Sequence, residues 1–246
     1  MTTLLKQSSV VQRTLKNPIT YIGIGLHTGK QVSMIVRPAT YSNGIYFNRR
    51  DVEPGRGLVP ARWYNIVETR MSTVLGNEYG VTVSTVEHLM AALAGCGVDN
   101  AIIELDGPEV PIMDGSADPF VQMIERVGTV PQDTPRHAIW IHQPIEVRDG
   151  DKFAILLPSD VQRITVSIDF DSPAVGAQTL SVELVNEAFV KKVARARTFG
   201  FAHEIEHLRK RGLIRGGSLK NAVLVDGERI VNDEGLRFKD EFVRHK

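Results

Sequence analysis

Apolar and polar positions follow two different periods along this chain of 246 residues. Val32, Met34 and Val36 alternate with polar neighbours, and this period of two predicts a strand with one buried face. Runs rich in β-branched and aromatic residues predict further strands. These begin at Gly44, Asp99, Ala138, Lys152 and Arg163, and the segment 222–232 is a predicted hairpin around Asp226 and Gly227.

Segments with the helical period interrupt the strands. STVEHLMAALAGCG, from Ser84, places Leu89, Ala92 and Leu93 on one face, and Ser84 with Glu87 is typical of a capping box. Because strands and helices do not alternate regularly, the pattern predicts an α+β fold of two units, each a sheet with packed helices. Further helices are predicted over 116–128 (with Ser116 as the candidate cap), 186–196 and 202–211, and near the end of the chain after Gly235.

A polar, proline-containing segment, TVPQDTPR at 129–136, separates two groups of elements. We take it as a domain boundary. The predicted organisation is a tail over 1–10, a first α+β domain over 11–130 and a second over 131–246. Since no stop signal follows the last helical pattern, we expect the second domain to be incomplete at its C-terminal end.

Composition and charge narrow the class of protein. The hydrophobic fraction of 42% and the charged fraction of 24% are ordinary for a soluble globular protein. The 29 acidic and 29 basic residues balance, so nucleic acid is not an expected partner. The single cysteine, Cys96, excludes an internal disulfide framework. No apolar segment suits a signal peptide or a transmembrane helix, so we expect a soluble, cytoplasmic protein and leave a peripheral membrane contact open.

His88 is the first candidate for chemistry, although a single histidine on a helix is more often a surface or core residue. It lies near the start of its predicted helix, where the helix dipole disfavours the protonated ring. A neutral imidazole is the form that binds a metal ion. Two roles stay open for its neighbour Glu87, one in the capping box with Ser84 and one as a general base.

The segment HEIEH is the second candidate. His203 and His207 stand one helical turn apart with Glu204 between them, and Glu228 follows as a candidate third ligand. This is the pattern of zinc peptidases, in which the glutamate is the base. Charged residues on nearly every side of the same helix favour a solvated surface helix. A zinc peptidase stays the alternative interpretation.

Five segments together resemble one enzyme family. They are GLHTGK from Gly25, STVEHLMAALAG from Ser84, PIMDGSADPF from Pro111, RARTFGF from Arg195 and GLRFKDEFVRHK from Gly235. In this order and with similar gaps they resemble the zinc-dependent UDP-3-O-acyl-N-acetylglucosamine deacetylases of bacterial lipid A synthesis. The similarity extends from about Val11 to the end of the chain, and five ordered motifs are more specific than one HEIEH pattern.

The resemblance implies a layered β-α-α-β sandwich of two domains, with the active site at their junction. It implies Zn²⁺ as the cofactor, with His88 and His245 as zinc ligands. Glu87 would be the general base toward the attacking water, and Thr198 would help to stabilise the developing oxyanion.

The resemblance also implies how a small nucleotide-sugar lipid precursor is held. Phe199 would pack on the sugar, Lys246 would lie near the nucleotide phosphates, and His27 would line the substrate site. Asp114 would be structural or support the ligands. The acyl chain would enter an apolar passage in the second domain, and a monomer is expected.

Two family residues have no counterpart in this sequence. One is the third zinc ligand, an aspartate one helical turn after the histidine that matches His245, and the other is a later histidine. Both positions fall past Lys246. The resemblance therefore predicts a C-terminally truncated deacetylase, with a catalytically inactive truncated relative as the alternative.

Overall fold

The computed structural model describes residues 5–185 and 187–246, with side chains from residue 10 onward. Residues 1–4 of the predicted tail, and Asn186 of the predicted helix over 186–196, lie outside the described residues. The elements of the first half are β1 (Leu5–Leu15), β2 (Ile19–Ile24), β3 (Gln31–Pro38), β4 (Ile45–Arg49), β5 (Leu58–Pro60), β6 (Ile66–Glu68), β7 (Val74–Gly76), β8 (Thr82–Val83), α1 (Glu87–Gly95), β9 (Ala101–Leu105) and α2 (Asp118–Val127).

A five-stranded sheet forms the centre of the first half. Its order is β2-β3-β9-β4-β5, with β4 and β9 parallel and the other neighbours antiparallel. The predicted alternation in β3 is confirmed, because Val32, Met34 and Val36 are buried. They share one apolar cluster with Leu89 of α1 and Phe120 of α2. A small antiparallel sheet, β6-β7-β8, precedes α1.

The second half consists of smaller sheets and short helices. Its elements are β10 (Thr129–Ile139), β11 (Ile145–Asp149), β12 (Lys152–Leu156), β13 (Arg163–Ile168), β14 (Gln178–Glu183), α3 (Ala188–Lys192), β15 (Phe199–Phe201), α4 (Ala202–Lys210), β16 (Val223–Asp226), β17 (Arg229–Ile230) and α5 (Glu241–His245). β11–β12 and β13–β14 are antiparallel pairs, and β15-β16-β17 form a mixed sheet.

Helices and separate sheets together confirm the predicted α+β class. A second, smaller apolar cluster is built from Val175, Val223, Val225 and Phe242. In the described ranges, no helix combines the length and the apolar character needed to cross a membrane.

The segment predicted as a polar break is a strand. Residues 129–136 belong to β10, which pairs antiparallel with β1, so residues 5–10 of the predicted tail are also strand. Proline is tolerated because β10 pairs with β1 alone among the described strands, which leaves one side of β10 without a ladder partner. Register shifts also interrupt the ladder near Pro131 and Pro135. The division into domains at 130/131 stays a prediction.

The predicted capping box at the start of α1 is wrong. Ser84 donates through Oγ to Pro108 O at 3.2 Å, and its backbone pairs with the same segment. Thr85 has a φ of 57°, so Ser84 does not lead directly into the helix. The partners of Ser84 lie in a distant part of the chain, which the local pattern could not reveal.

Two other helix predictions have different outcomes. The helix expected over 186–196 is confined to α3, and the helix expected over 202–211 is confirmed as α4. The helix predicted near the end of the chain, after Gly235, is confined to α5, where Phe242 is buried.

Candidate active site

Glu87 and His88 are the first two residues of α1. Glu87 Oε2 accepts a hydrogen bond from the Thr73 backbone N–H at 3.0 Å, so a neighbouring loop fixes the carboxylate. Burial raises the pKa of Glu87, and the charge of Lys246 opposes this effect. Burial lowers the pKa of His88 to about 3, so its ring is neutral at neutral pH. A carboxylate of raised pKa beside a neutral imidazole is suited to proton transfer next to a metal ion.

His245 ends α5, and its ring lies against that of His88. The ring centroids are 5.1 Å apart and the planes meet at 79°. His245 Nδ1 lies 3.2 Å from Ala196 O. Because a carbonyl oxygen can only accept, Nδ1 donates and the free lone pair is on Nε2. Burial lowers the pKa of His245 to about 4. Two residues distant in sequence therefore bring neutral imidazoles together.

This pair of rings fits a zinc ion as two of its ligands. Ring nitrogens about 2.0–2.1 Å from a tetrahedral ion place their ring centroids about 5 Å apart, which matches the separation of His88 and His245. Within residues 5–185 and 187–246, no group of three His, Cys, Asp or Glu side chains is placed to hold a metal ion. The described part of the chain therefore offers two of the three protein ligands that catalytic zinc sites use.

Phe199 reaches the same place from the start of β15, and Thr198 immediately precedes it in the chain. The Thr198 backbone N–H donates to Gly115 O at 2.8 Å, which joins this segment to the PIMDG segment. The Phe199 ring lies 6.5 Å from the His245 ring. Lys246 Nζ lies 5.4 Å from the Phe199 centroid, in a cation–π contact. An aromatic face and a cation thus adjoin the two histidines.

His27 is buried in the loop between β2 and β3. Its Nδ1 accepts weakly from the Ile214 backbone N–H at 3.5 Å, and its Nε2 is buried without a hydrogen-bond partner among the described residues. A buried nitrogen of this kind is available to a ligand. Glu109 links the loop to α1, because Oε1 accepts from both the His27 N–H at 2.8 Å and Thr85 Oγ1 at 3.0 Å.

Three buried charged residues were missed by the sequence reasoning. Glu109, Arg197 and Glu241 are all buried, and Arg197 Nε lies 2.9 Å from Glu241 Oε1. The available signal was a charge inside an otherwise apolar run, as in EVPIM around Glu109. Asp114, expected to be structural or supporting, lies 2.8 Å from Arg237 Nη1 in an ion pair.

The HEIEH segment has a different environment. His203, Glu204 and His207 are exposed on α4, which has no buried residue. His203 and Glu204 line an open groove with Glu228, but no metal-holding group of three is found in the described part of the chain. A catalytic zinc helix normally lines a buried cleft, so this exposure disfavours the zinc peptidase interpretation.

Comparison with known proteins gives one consistent result. Residues 12–246 match the family described as UDP-3-O-acyl N-acetylglycosamine deacetylase. Proteins named UDP-3-O-acyl-N-acetylglucosamine deacetylase from Syntrophotalea carbinolica and Phenylobacterium zucineum are each 50% identical, and the alignments cover 96% of this chain and 76% and 80% of theirs. The protein of that name from Cellvibrio japonicus is 52% identical over 96% of this chain and 78% of its own. The chain therefore belongs to the UDP-3-O-acyl-N-acetylglucosamine deacetylase family.

Proposed function

We propose that this chain carries the active site of a zinc-dependent hydrolase that deacetylates UDP-3-O-acyl-N-acetylglucosamine in lipid A biosynthesis. Membership of the family supports the deacetylation. The observation that carries the metal proposal is the contact of two buried, neutral imidazoles, those of His88 and His245, at 5.1 Å. A cytoplasmic location and a monomeric state stay predictions.

Each residue of the site has a role in this proposal. A bound zinc ion supplies Lewis acidity toward a water molecule and the acetamide carbonyl. Glu87 accepts a proton from the water as its oxygen forms a bond to the carbonyl carbon, and its raised pKa suits this task near neutral pH. The Thr198 hydroxyl donates toward the developing oxyanion. The C–N bond then breaks, the nitrogen gains a proton, and acetate and a free amine are the products.

Binding is proposed to use the groups around the histidines. Phe199 offers its ring face to the sugar, and Lys246 offers its ammonium group to the nucleotide phosphates. His27 offers its unpartnered Nε2 to a polar group of the substrate. The contacts of Phe199 with Lys246 and His245 support the first two of these roles.

Zinc content tests the metal part of the proposal. Bound zinc per chain is measured after dialysis in the unmodified protein and in the His88→Ala and His203→Ala variants. We expect zinc to be lost with His88→Ala and retained with His203→Ala. Loss of zinc with His203→Ala instead would place the metal site on α4 and support the zinc peptidase interpretation.

Turnover tests the role of Glu87. In Glu87→Gln the shape is kept and the base is removed, so we expect deacetylation to fall by about 10²–10⁴-fold with zinc content unchanged. Turnover equal to that of the unmodified protein would remove Glu87 from the mechanism.

A second candidate function follows from the presence of two histidine ligands instead of three. In it the chain keeps the fold of the family but does not turn over the substrate. Catalytic zinc sites normally use three protein ligands, and the described residues bring two together. This candidate predicts weak zinc binding and no detectable deacetylation by the unmodified chain. Measurable turnover by the unmodified chain would exclude it.

A further inference from the structure

Arg197 is a buried cation in the second half of the chain. Its side chain is among the largest that are fully buried, with 1% exposed. Nε donates to Glu241 Oε1 at 2.9 Å, and Nη2 donates to Gly235 O at 2.7 Å. Nη1 donates to the exposed Glu234 at 2.6 Å. Nearly the whole guanidinium group is therefore committed to fixed partners.

Arg197 is adjacent in sequence to a proposed site residue, and Glu241 is on the same short helix as another. Arg197 stands between Ala196, whose carbonyl oxygen accepts from His245 Nδ1, and Thr198. Glu241 is the first residue of α5, and His245 is the last. Glu241 Oε1 also accepts from the Arg197 backbone N–H at 2.9 Å. The pair therefore joins the segment that leads into β15 to α5, close to the contact between His245 and Ala196 O.

We propose that Arg197 and Glu241 form a positioning pair that sets the orientation and the tautomer of His245. The inference rests on the proposed zinc-dependent function. With Ala196 O held against Nδ1, the His245 ring keeps its proton on Nδ1 and its lone pair on Nε2, while the ring stays in contact with that of His88. A ring freed from this carbonyl can turn or take the other tautomer, and a protonated nitrogen cannot bind a metal ion.

The energetics of buried ion pairs separate this role from simple structural support. Replacing both partners of such a pair by well-packed hydrophobic residues of similar volume is often neutral for stability, whereas removing one partner leaves a buried charge without its counterion and is strongly destabilising. A pair that only stabilises the fold can therefore be replaced without further effect. Replacing a pair that orients His245 would change the position of that ring and weaken zinc binding even where stability is kept.

The test compares Arg197→Met, Glu241→Gln and the double variant with the unmodified chain. Glu241→Gln keeps an oxygen that can accept from the Arg197 N–H. We expect Arg197→Met alone to lower both the unfolding temperature and the zinc affinity. In the double variant we expect the unfolding temperature to rise above that of Arg197→Met without reaching that of the unmodified chain, because one amide oxygen cannot replace both carboxylate oxygens and Glu241 Oε2 also accepts from the Arg237 N–H at 2.6 Å. Zinc affinity, measured by chelator competition, should stay about 10- to 100-fold weaker than in the unmodified chain.

A second measurement does not require zinc. In metal-free protein labelled with ¹⁵N-histidine, the ring nitrogens of His245 are assigned by comparison with His245→Gln. We expect one tautomer in the unmodified chain and a mixture in the double variant. The matched control is Arg49→Met with Asp51→Asn, an ion pair at 2.7 Å in the first half, which should change neither the tautomer nor the zinc affinity.

The outcomes are distinguishable. Recovery of stability, zinc affinity and a single tautomer in the double variant would show a purely structural pair and overturn the inference. If zinc in the unmodified chain does not depend on His88, the proposed function fails. The tautomer of His245 in the metal-free variants still decides whether the pair positions that ring.

Discussion

Gly115 shows how one residue can set the distance between two segments of the site. Its φ is 83°, and a Cβ atom built on it would lie 2.0 Å from Asn221 O. The Gly115 carbonyl oxygen also accepts from the Thr198 N–H at 2.8 Å. Only a residue without a side chain permits this approach of the PIMDG segment to the loop that precedes β16.

The substitution Gly115→Ala is expected to lower the free energy of unfolding by about 3 kcal/mol or more, because steric overlap adds to backbone strain. Urea unfolding measures the change. Gly150→Ala is the matched control, since Gly150 has a φ of 62° with nothing within 4 Å of an added Cβ. It should cost only about 1–2 kcal/mol. Equal losses of unfolding free energy in the two variants would show that the close approach to Asn221 does not contribute to the effect.

At the scale of elements, Glu109 ties the β2–β3 loop to the segment that enters α1. Its Oε1 accepts from the His27 N–H and from Thr85 Oγ1. Its Oε2 accepts from the Thr28 N–H at 2.9 Å and from Thr28 Oγ1 at 2.9 Å. Four hydrogen-bond donors thus compensate for the hydration that the fully buried carboxylate has lost. The backbone of His27 and the segment that enters α1 are therefore held by one side chain.

Glu109→Gln is expected to lower the free energy of unfolding by about 2–4 kcal/mol. The amide NH₂ group would meet donors at Thr28, and charge-assisted hydrogen bonds would be lost. Denaturant unfolding is again the measurement, with Glu53→Gln as the control. Glu53 forms an exposed ion pair with Arg56, so its loss should cost no more than about 1 kcal/mol. A similarly small loss for Glu109→Gln would contradict the role of this carboxylate as a tie between elements.

Sequence periodicity predicted the elements better than it predicted their ends and partners. It located β3, α1 and α4, because burial on one face leaves a local pattern. It failed at Ser84 and at 129–136, because their partners, Pro108 and β1, are distant in sequence. Periodicity did not bring His88 and His245 together either, since only the resemblance to the family linked them.

On the scale of the whole molecule, one face of the β11–β12 hairpin is apolar and exposed. Ile145 pairs with Leu156, and Val147 pairs with Ala154, so these side chains share one face. Ile145, Val147 and Leu156 are 50%, 67% and 55% exposed. The opposite face is mixed, because Glu146 and Arg148 lie there beside Ile155 and Phe153. Contiguous exposed apolar side chains of this kind favour association.

The chain is therefore expected to self-associate as its concentration rises, in contrast to the monomer expected from the resemblance. Sedimentation velocity over a range of concentrations measures this. Val147→Lys places a charge in the centre of the apolar face and should shift the distribution toward the monomer. Glu146→Lys introduces the same residue on the opposite face of β11 and should leave the association unchanged. A monomer at every concentration in the unmodified chain, or an equal response to both substitutions, would show that this face does not drive association.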